Sequence, residues 1–257
     1  MPTIQKASFL KRISAVLLDF ILVVILATGF AAIVSAVIGY DTHTKQLDTY
    51  YKEYQTKYEV NFDITEEEFN ALDSEQQQIH LDKIAAAEAE MEKDVRVLAV
   101  YETIMSLTFV IVGISGLLSI LIVYYVGPLF FKNGQTVGKK IFGLAVIRSN
   151  CVKATNKVLL IRTVFGLYAI EIMFPLCLVL LIYFGQLGLP GTIAVLGLLV
   201  LQCWTMISSK TNSCIHDLLS DTVVVDFASQ RIFETQEDLI AFIEEEKARE
   251  AAATPVY

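Results

Sequence analysis

The chain has 257 residues, 54% of them hydrophobic, with a mean hydropathy of +0.55; the apolar residues fall in blocks, which excludes an ordinary soluble domain and points to an integral membrane protein. The formal net charge of −8 comes mostly from residues 41–96 and the acidic tail, and the one short basic loop, residues 132–162, is too small and too close to the membrane to serve as a nucleic-acid face. Four cysteines, Cys151, Cys177, Cys203 and Cys214, all fall in apolar spans or on the expected inner side, which gives no disulfide framework, their spacings fit no zinc site, and no metal or cofactor is expected.

Residues 1–40 hold the N-terminus and the first span. Residues 13–39 form an apolar run in which Asp19 is the only charge, and Arg12 stands just ahead of it. About 20 apolar residues cross a bilayer as a helix, and this run is longer than the apolar core of a removable signal peptide. A carboxylate at this depth is paired, neutral or turned toward a polar cavity, since it cannot face lipid. Arg12 and Asp19 lie two helical turns apart and point the same way, with Ala15 between them, so a polar stripe runs down the helix.

Residues 41–96 carry 15 acids against 6 bases and read as an extracytoplasmic helical hairpin between the first two spans. Capping boxes are expected at Thr65 with Glu68 and at Ser74 with Gln77. The stretch 84–97, rich in Ala, Glu and Met, is expected to run without a break into the second span, residues 97–131. Tyr50, Tyr51, Tyr54 and Tyr58 share helical spacing and are expected to pack the hairpin and anchor it at the headgroups. The acids of residues 63–68 lack the pattern of a calcium loop.

Residues 132–162 contain Lys132, Lys139, Lys140, Arg148, Lys153, Lys157 and Arg162 and no acid. So basic a short loop is cytoplasmic by the positive-inside rule. Together with Lys6, Lys11 and Arg12 it gives an N-inside, C-inside topology, with anionic lipid headgroups as expected neighbours of the lysines. The glycine-rich start of this loop is not a phosphate loop. Only three residues separate Gly134 from Gly138, and Lys140 stands where a magnesium-binding hydroxyl is needed. Residues 141–147 and 222–225 are too short to span and rich in β-branched side chains, so a short cytoplasmic β pairing is expected, with Ala145 and Val224 as positions for a cross-link.

The third span, residues 163–184, has Glu171 as its only charge, and the fourth is residues 188–208. A closing segment, 209–226, and an acidic tail, 227–257, follow. His216 is expected to cap or hydrogen-bond at the end of the fourth span. Adjacent His216 and Asp217 do not share a helix face.

Three segments, in this order, resemble the RDD family of membrane proteins. Residues 12–19 resemble its opening signature. Residues 134–146, with Gly134, Thr136, Gly138, Lys139 and Gly143, look like its inner-loop motif. Residues 216–225, with His216, Asp217 and Thr222, look like its closing motif, although Asp221 stands where the family more often has Gly. The resemblance makes Arg12, Asp19 and Asp217 the name-giving trio and does not reach the 41–96 insertion or the tail. It implies transport, including sodium/proton exchange.

An intramembrane carboxylate can take a proton or offer hard oxygens to a cation. Asp19, with Glu171 as the second carboxylate, is therefore the expected centre of cation or small-solute transport. Ser14, Thr28 and Thr108 are candidate neutral ligands, although membrane hydroxyls more often bond their own backbone. Four spans leave little room for a pathway in one protomer, so a transporter is expected to be a homo-oligomer. Two alternatives compete. Arg12 could pair with Asp19 or Asp217 as a static clamp between helices, or the insertion and tail could hold a protein partner, as in a membrane-anchored scaffold. No nucleophile motif, metal-ligand set or cofactor fingerprint supports an enzyme. The expectation is an all-α, four-span protein of a bacterial plasma membrane.

Overall fold

The computed structural model describes residues 3–131, 133–209 and 211–253, so Lys132 of the basic loop lies outside the described residues. In chain order the elements are α1 (Phe9–Ile38), α2 (Tyr40–Tyr58), α3 (Glu66–Asn70), α4 (Ser74–Met91), α5 (Val95–Phe130), α6 (Val137–Ile141), β1 (Leu144–Arg148), α7 (Asn156–Tyr183), α8 (Gly188–Ser208), α9 (Ile215–Leu219), β2 (Thr222–Asp226) and α10 (Gln236–Ala253). Four of these, α1, α5, α7 and α8, are long and apolar enough to cross a membrane. Their large apolar side chains, such as Leu17, Ile25, Leu196 and Trp204, are exposed, as expected of surfaces that face lipid. The fold is that of an all-α membrane protein with one small sheet.

The chain forms two compact units, residues 31–112 and residues 1–30 with 113–257. In the first, Tyr54, Met91 and Val97 form a core joined by Leu47, Tyr50, Tyr58 and Phe62. Tyr58 and Lys57 both donate to Glu90, and the Tyr54 hydroxyl donates to Asp94 at 3.1 Å, so these tyrosines pack the hairpin. Thr65 and Glu68 form the expected capping box, but the second box uses Asp73 and Gln76 rather than Ser74 and Gln77. A carboxylate at that end also meets the positive pole of the helix. The helix does not continue unbroken into the second span: α4 stops at Met91, and Asp94 accepts the Arg96 amide at 2.8 Å to start α5. Local side-chain bonding to the backbone here outweighs helix propensity.

In the other unit, β1 and β2 pair antiparallel with Ala145 opposite Val225 and Val146 opposite Val224. The expected pairing is present, shifted by one residue from the Ala145 and Val224 positions, and residue 141 belongs to α6. Both sheet faces are covered. Ala145, Ile147, Val223 and Val225 pack with Phe233 and Leu239 and with Phe242 and Ile243 of α10, while Leu144, Val146 and Val224 pack with Ala7, Ala15 and Leu159. Two-sided burial explains the unbroken apolar runs of these strands. It also gives two strands the support that an isolated pair lacks. The acidic tail thus hides an apolar face against the sheet.

Helix α7 begins at Asn156, seven residues before the expected span, which brings Arg162 inside it. Two stretches have π-helical winding, Ile122–Val126 in α5 and Arg162–Met173 in α7, and each lies just ahead of a proline, Pro128 and Pro175. A proline has no N–H for the carbonyl four residues back. Those carbonyls belong to Tyr124 and Glu171, and side chains serve them instead: Thr163 Oγ1 donates to Tyr124 at 3.1 Å, and Gln202 Nε2 to Glu171 at 3.4 Å. The prolines thereby cross-tie α5 to α7 and α7 to α8.

The strand register predicts that cysteines placed at Ala145 and Val225, in a background lacking the natural cysteines, oxidise to a disulfide. A pair at Ala145 and Val224 should not, because a one-residue slip turns a side chain to the opposite face. Mobility on non-reducing gels reads the difference.

Candidate functional site

Asp19, 0% exposed on α1, does not meet Arg12. Its Oδ2 accepts from the Thr136 hydroxyl at 2.5 Å, and its Oδ1 from the Gly138 amide at 2.8 Å. Thr136 is the N-cap of α6, accepting the Lys139 amide at 3.2 Å, so the carboxylate stands at the start of that short helix. Lys139 Nζ approaches Asp19 Oδ2 at 3.9 Å. The close approach depends on Gly138, because a Cβ there would collide with the Ala15 carbonyl oxygen. The inner-loop motif is therefore the cradle of the opening motif, with Gly134 and Gly143 at left-handed turns on either side of α6.

The other members of the trio come together elsewhere. Arg162 Nε and Nη2 donate to Asp217 Oδ1 at 3.0 and 2.9 Å, and Thr222 Oγ1 donates to the same oxygen at 3.1 Å. Arg12 Nη2 lies 3.8 Å from Asp217 Oδ2, and Arg12 Nη1 donates to the Thr211 carbonyl at 3.3 Å. Burial opposes ionisation of Asp217, yet the Arg162 and Arg12 guanidiniums hold its carboxyl below the ordinary carboxylate range.

Glu171 does not join Asp19 either. Its Oε1 accepts the His216 amide at 2.8 Å, and its Oε2 meets His216 Nδ1 at 2.6 Å. Arg162 Nη2 lies 2.8 Å from His216 Nε2. A guanidinium only donates, so Nε2 accepts, the ring is neutral, and its proton sits on Nδ1 facing Glu171. Although neighbours on a helix are not expected to share a face, His216 Nε2 and Asp217 Oδ2 come within 3.7 Å of each other, and Arg162 Nη2 reaches both residues. Here α9 meets α7 at Gly166, where any Cβ would lie 2.6 Å from that of His216.

The result is a buried, charge-balanced network: Arg12, Lys139 and Arg162 against Asp19, Glu171 and Asp217. Burial, with Arg162 adding to it, pulls the Lys139 amine down to about 8. Burial pushes the Cys214 thiol up to about 11, Asp217 and Glu171 adding to the effect. Two cavities adjoin the network. One, of about 160 Å³, is lined by Arg12, Tyr124, Lys139, Arg162, Glu171 and Asp217 among others; the second, of about 210 Å³, is lined by Gln202, Cys203, Thr205 and Met206. Glu171 and Cys214 line both. Asp19 lines neither. Among the described residues, no group of three or more His, Cys, Asp or Glu side chains is placed to hold a metal ion. Thr28 and Thr108 bond the carbonyls of Val24 and Ile104 in their own helices, the ordinary structural role of membrane hydroxyls.

Arg162 is the member that sequence reasoning missed, counted there only as a loop charge. Its signal was a lone base bordering the apolar run that also holds a lone acid, Glu171.

Asp217→Asn is expected to destabilise the protein by about 3–5 kcal/mol, because it strands two buried cations. The wild-type contribution is fully present above the unfolded carboxylate value of about 3.9 and is lost as pH falls below it. Melting of the detergent-solubilised protein against pH should show this acid limb in wild type and not in the variant. Gly138→Ala should cost about 1–3 kcal/mol by overpacking, whereas Gly197→Ala, with nothing near its added methyl, should be neutral or mildly stabilising.

Comparison with known proteins gives one match. No curated protein and no solved structure resembles the chain closely enough to count. The sequence model of the RDD family matches residues 6–221, which takes in Arg12, Asp19, the cradle of α6, Arg162, Glu171 and the closing His216 and Asp217. With that match over most of its length, the chain belongs to the RDD family.

Proposed function

We propose that this RDD-family membrane protein transports a small solute in exchange or symport with protons, and that Glu171 and His216 are the proton-handling pair. The observation that carries the reading is the position of Glu171, on a membrane span, bordering two cavities and closed onto a histidine. A proton arriving at His216 turns Nε2 from acceptor to donor, against the Arg162 guanidinium at 2.8 Å and toward Asp217 Oδ2 at 3.7 Å, so the bond to Arg162 is exchanged for one to Asp217.

The same geometry argues against direct binding of sodium at Asp19. Both oxygens of Asp19 and both of Glu171 already accept hydrogen bonds, and Asp217 Oδ1 accepts three. A bare cation would have to displace them beside buried Arg and Lys side chains. Asp19 is better described as a structural anchor for the loop.

A second reading has its own support. Residues 31–112 form a compact unit with their own core, as a partner-binding module of a scaffold would. Deleting residues 41–92 should release a stoichiometric partner if that reading holds and leave transport intact if it does not.

The test of the proposal is proton movement in proteoliposomes driven by gradients of sodium, potassium and simple anions. Glu171→Gln is expected to reconstitute normally and slow solute-linked proton movement by about tenfold or more, the scale of a lost acid/base group. Absence of any signal from well-folded wild type would remove the transport reading.

A further inference from the structure

The acids of the network hold short hydrogen bonds, whereas two of its bases have only long contacts. Lys139 Nζ, on a side chain only 5% exposed, has Thr136 Oγ1 at 3.5 Å, Asp19 Oδ2 at 3.9 Å and the Tyr124 ring face at 5.0 Å. The Thr136 hydroxyl already donates to Asp19 and accepts the Lys139 amide, so it serves the ammonium poorly. Arg12 has five donors, and among the described residues its guanidinium reaches the Thr211 carbonyl at 3.3 Å and Asp217 at 3.8 Å. A buried ammonium without a short acceptor is unfavourable.

Both bases line the cavity of about 160 Å³, whose remaining wall includes the apolar Ala15, Val16, Leu144 and Leu167. The charges lining it are Arg12, Lys139 and Arg162 against Glu171 and Asp217, and Asp19, outside the lining but 3.9 Å from Lys139 Nζ, balances the set. A cavity of that size has room for a tetrahedral oxyanion with water around it. Apolar walls strengthen the attraction by lowering the local dielectric.

We propose that this cavity binds a phosphate-type oxyanion, held between the Lys139 ammonium and the Arg12 guanidinium. Two bases with only long contacts face the cavity, whereas its acids are already bonded, and this favours an anion over sodium. The same chemistry is offered by a lipid headgroup and by a free phosphate. This inference names the solute class for the transport reading and in that sense rests on it. Binding is measured at equilibrium, however, so the two can fail separately: binding without proton movement would retain this site and remove the transport.

The experiment uses the full chain, purified in detergent and stripped of lipid, with sulfate as the probe because its charge is constant near neutrality. Melting temperature is measured in sulfate and in chloride at matched ionic strength, below and above the Lys139 value of about 8. The expected result is stabilisation by sulfate on the acid side that fades on the alkaline side, as Lys139 loses its proton. Lys139→Gln should weaken sulfate binding by about tenfold or more, the loss of one charge-assisted contact. Lys139→Arg should fold, bind, and keep binding on the alkaline side. Native mass spectrometry from phosphatidylcholine vesicles with and without phosphatidylglycerol separates the sources: retained phosphatidylglycerol that competes with sulfate assigns the site to a headgroup, and sulfate binding with no retained lipid assigns it to a free anion. Identical melting in sulfate and chloride with no retained anionic lipid, or a Lys139→Arg protein whose pH dependence equals that of wild type, would overturn the proposal.

Discussion

A carboxylate inside an apolar helix must be satisfied by its own protein, and the way Asp19 is satisfied arranges much of what surrounds it. Its two oxygens are taken by the Thr136 hydroxyl and the Gly138 amide. That bond requires α6 to press against α1 with no side chain between them, which Gly138 alone permits. The position of α6 in turn places Lys139 in the buried cavity and delivers the chain into β1. An uncompensated carboxylate here would cost several kcal/mol, so a bond distant from any chemistry holds the loop that forms one wall of the candidate site.

The rest of the network is assembled by helices that are deliberately irregular. Pro128 and Pro175 each remove a backbone donor and are preceded by π-wound turns, and the carbonyls they free are served by Thr163 and Gln202 from neighbouring helices. π-wound segments of this kind often mark functional sites. In α7 the wound stretch begins at Arg162 and includes Glu171, so one segment presents both the base that grips Asp217 and the acid that closes onto His216. Within this network Asp19 and Asp217 tie the inner loop, the helices and β2 together, while Glu171 and His216 form a contact whose donor and acceptor pattern depends on a single proton.

Most of the membrane architecture was legible in the sequence because it rests on length and apolarity alone. The four spans, the paired strands and the tyrosine packing of the insertion follow from periodicity and residue type. The partners of the buried charges were not legible. Arg12 and Asp19 share a helix face, so spacing favoured pairing them, yet tertiary contacts send Asp19 to α6 and Arg12 to Asp217. Arg162 was hidden because the helix that carries it starts seven residues before the apolar run. The break after Met91 was hidden because a single Asx-type bond at Asp94 outweighs a stretch of good helix formers. The tail looked merely acidic, since its apolar face of Leu239, Phe242 and Ile243 has meaning only once the sheet is there to cover.

The central claim is that His216 is held as a neutral ring between a donor and an acceptor, Arg162 on Nε2 and Glu171 on Nδ1. The chain has three histidines, so nitrogen NMR of histidine-labelled protein in detergent can resolve this ring by comparison with a His216→Gln variant. The account predicts a neutral ring at neutral pH with its proton on Nδ1, and loss of that tautomer in Glu171→Gln. A ring protonated on Nε2, or one averaging freely between tautomers, would contradict it.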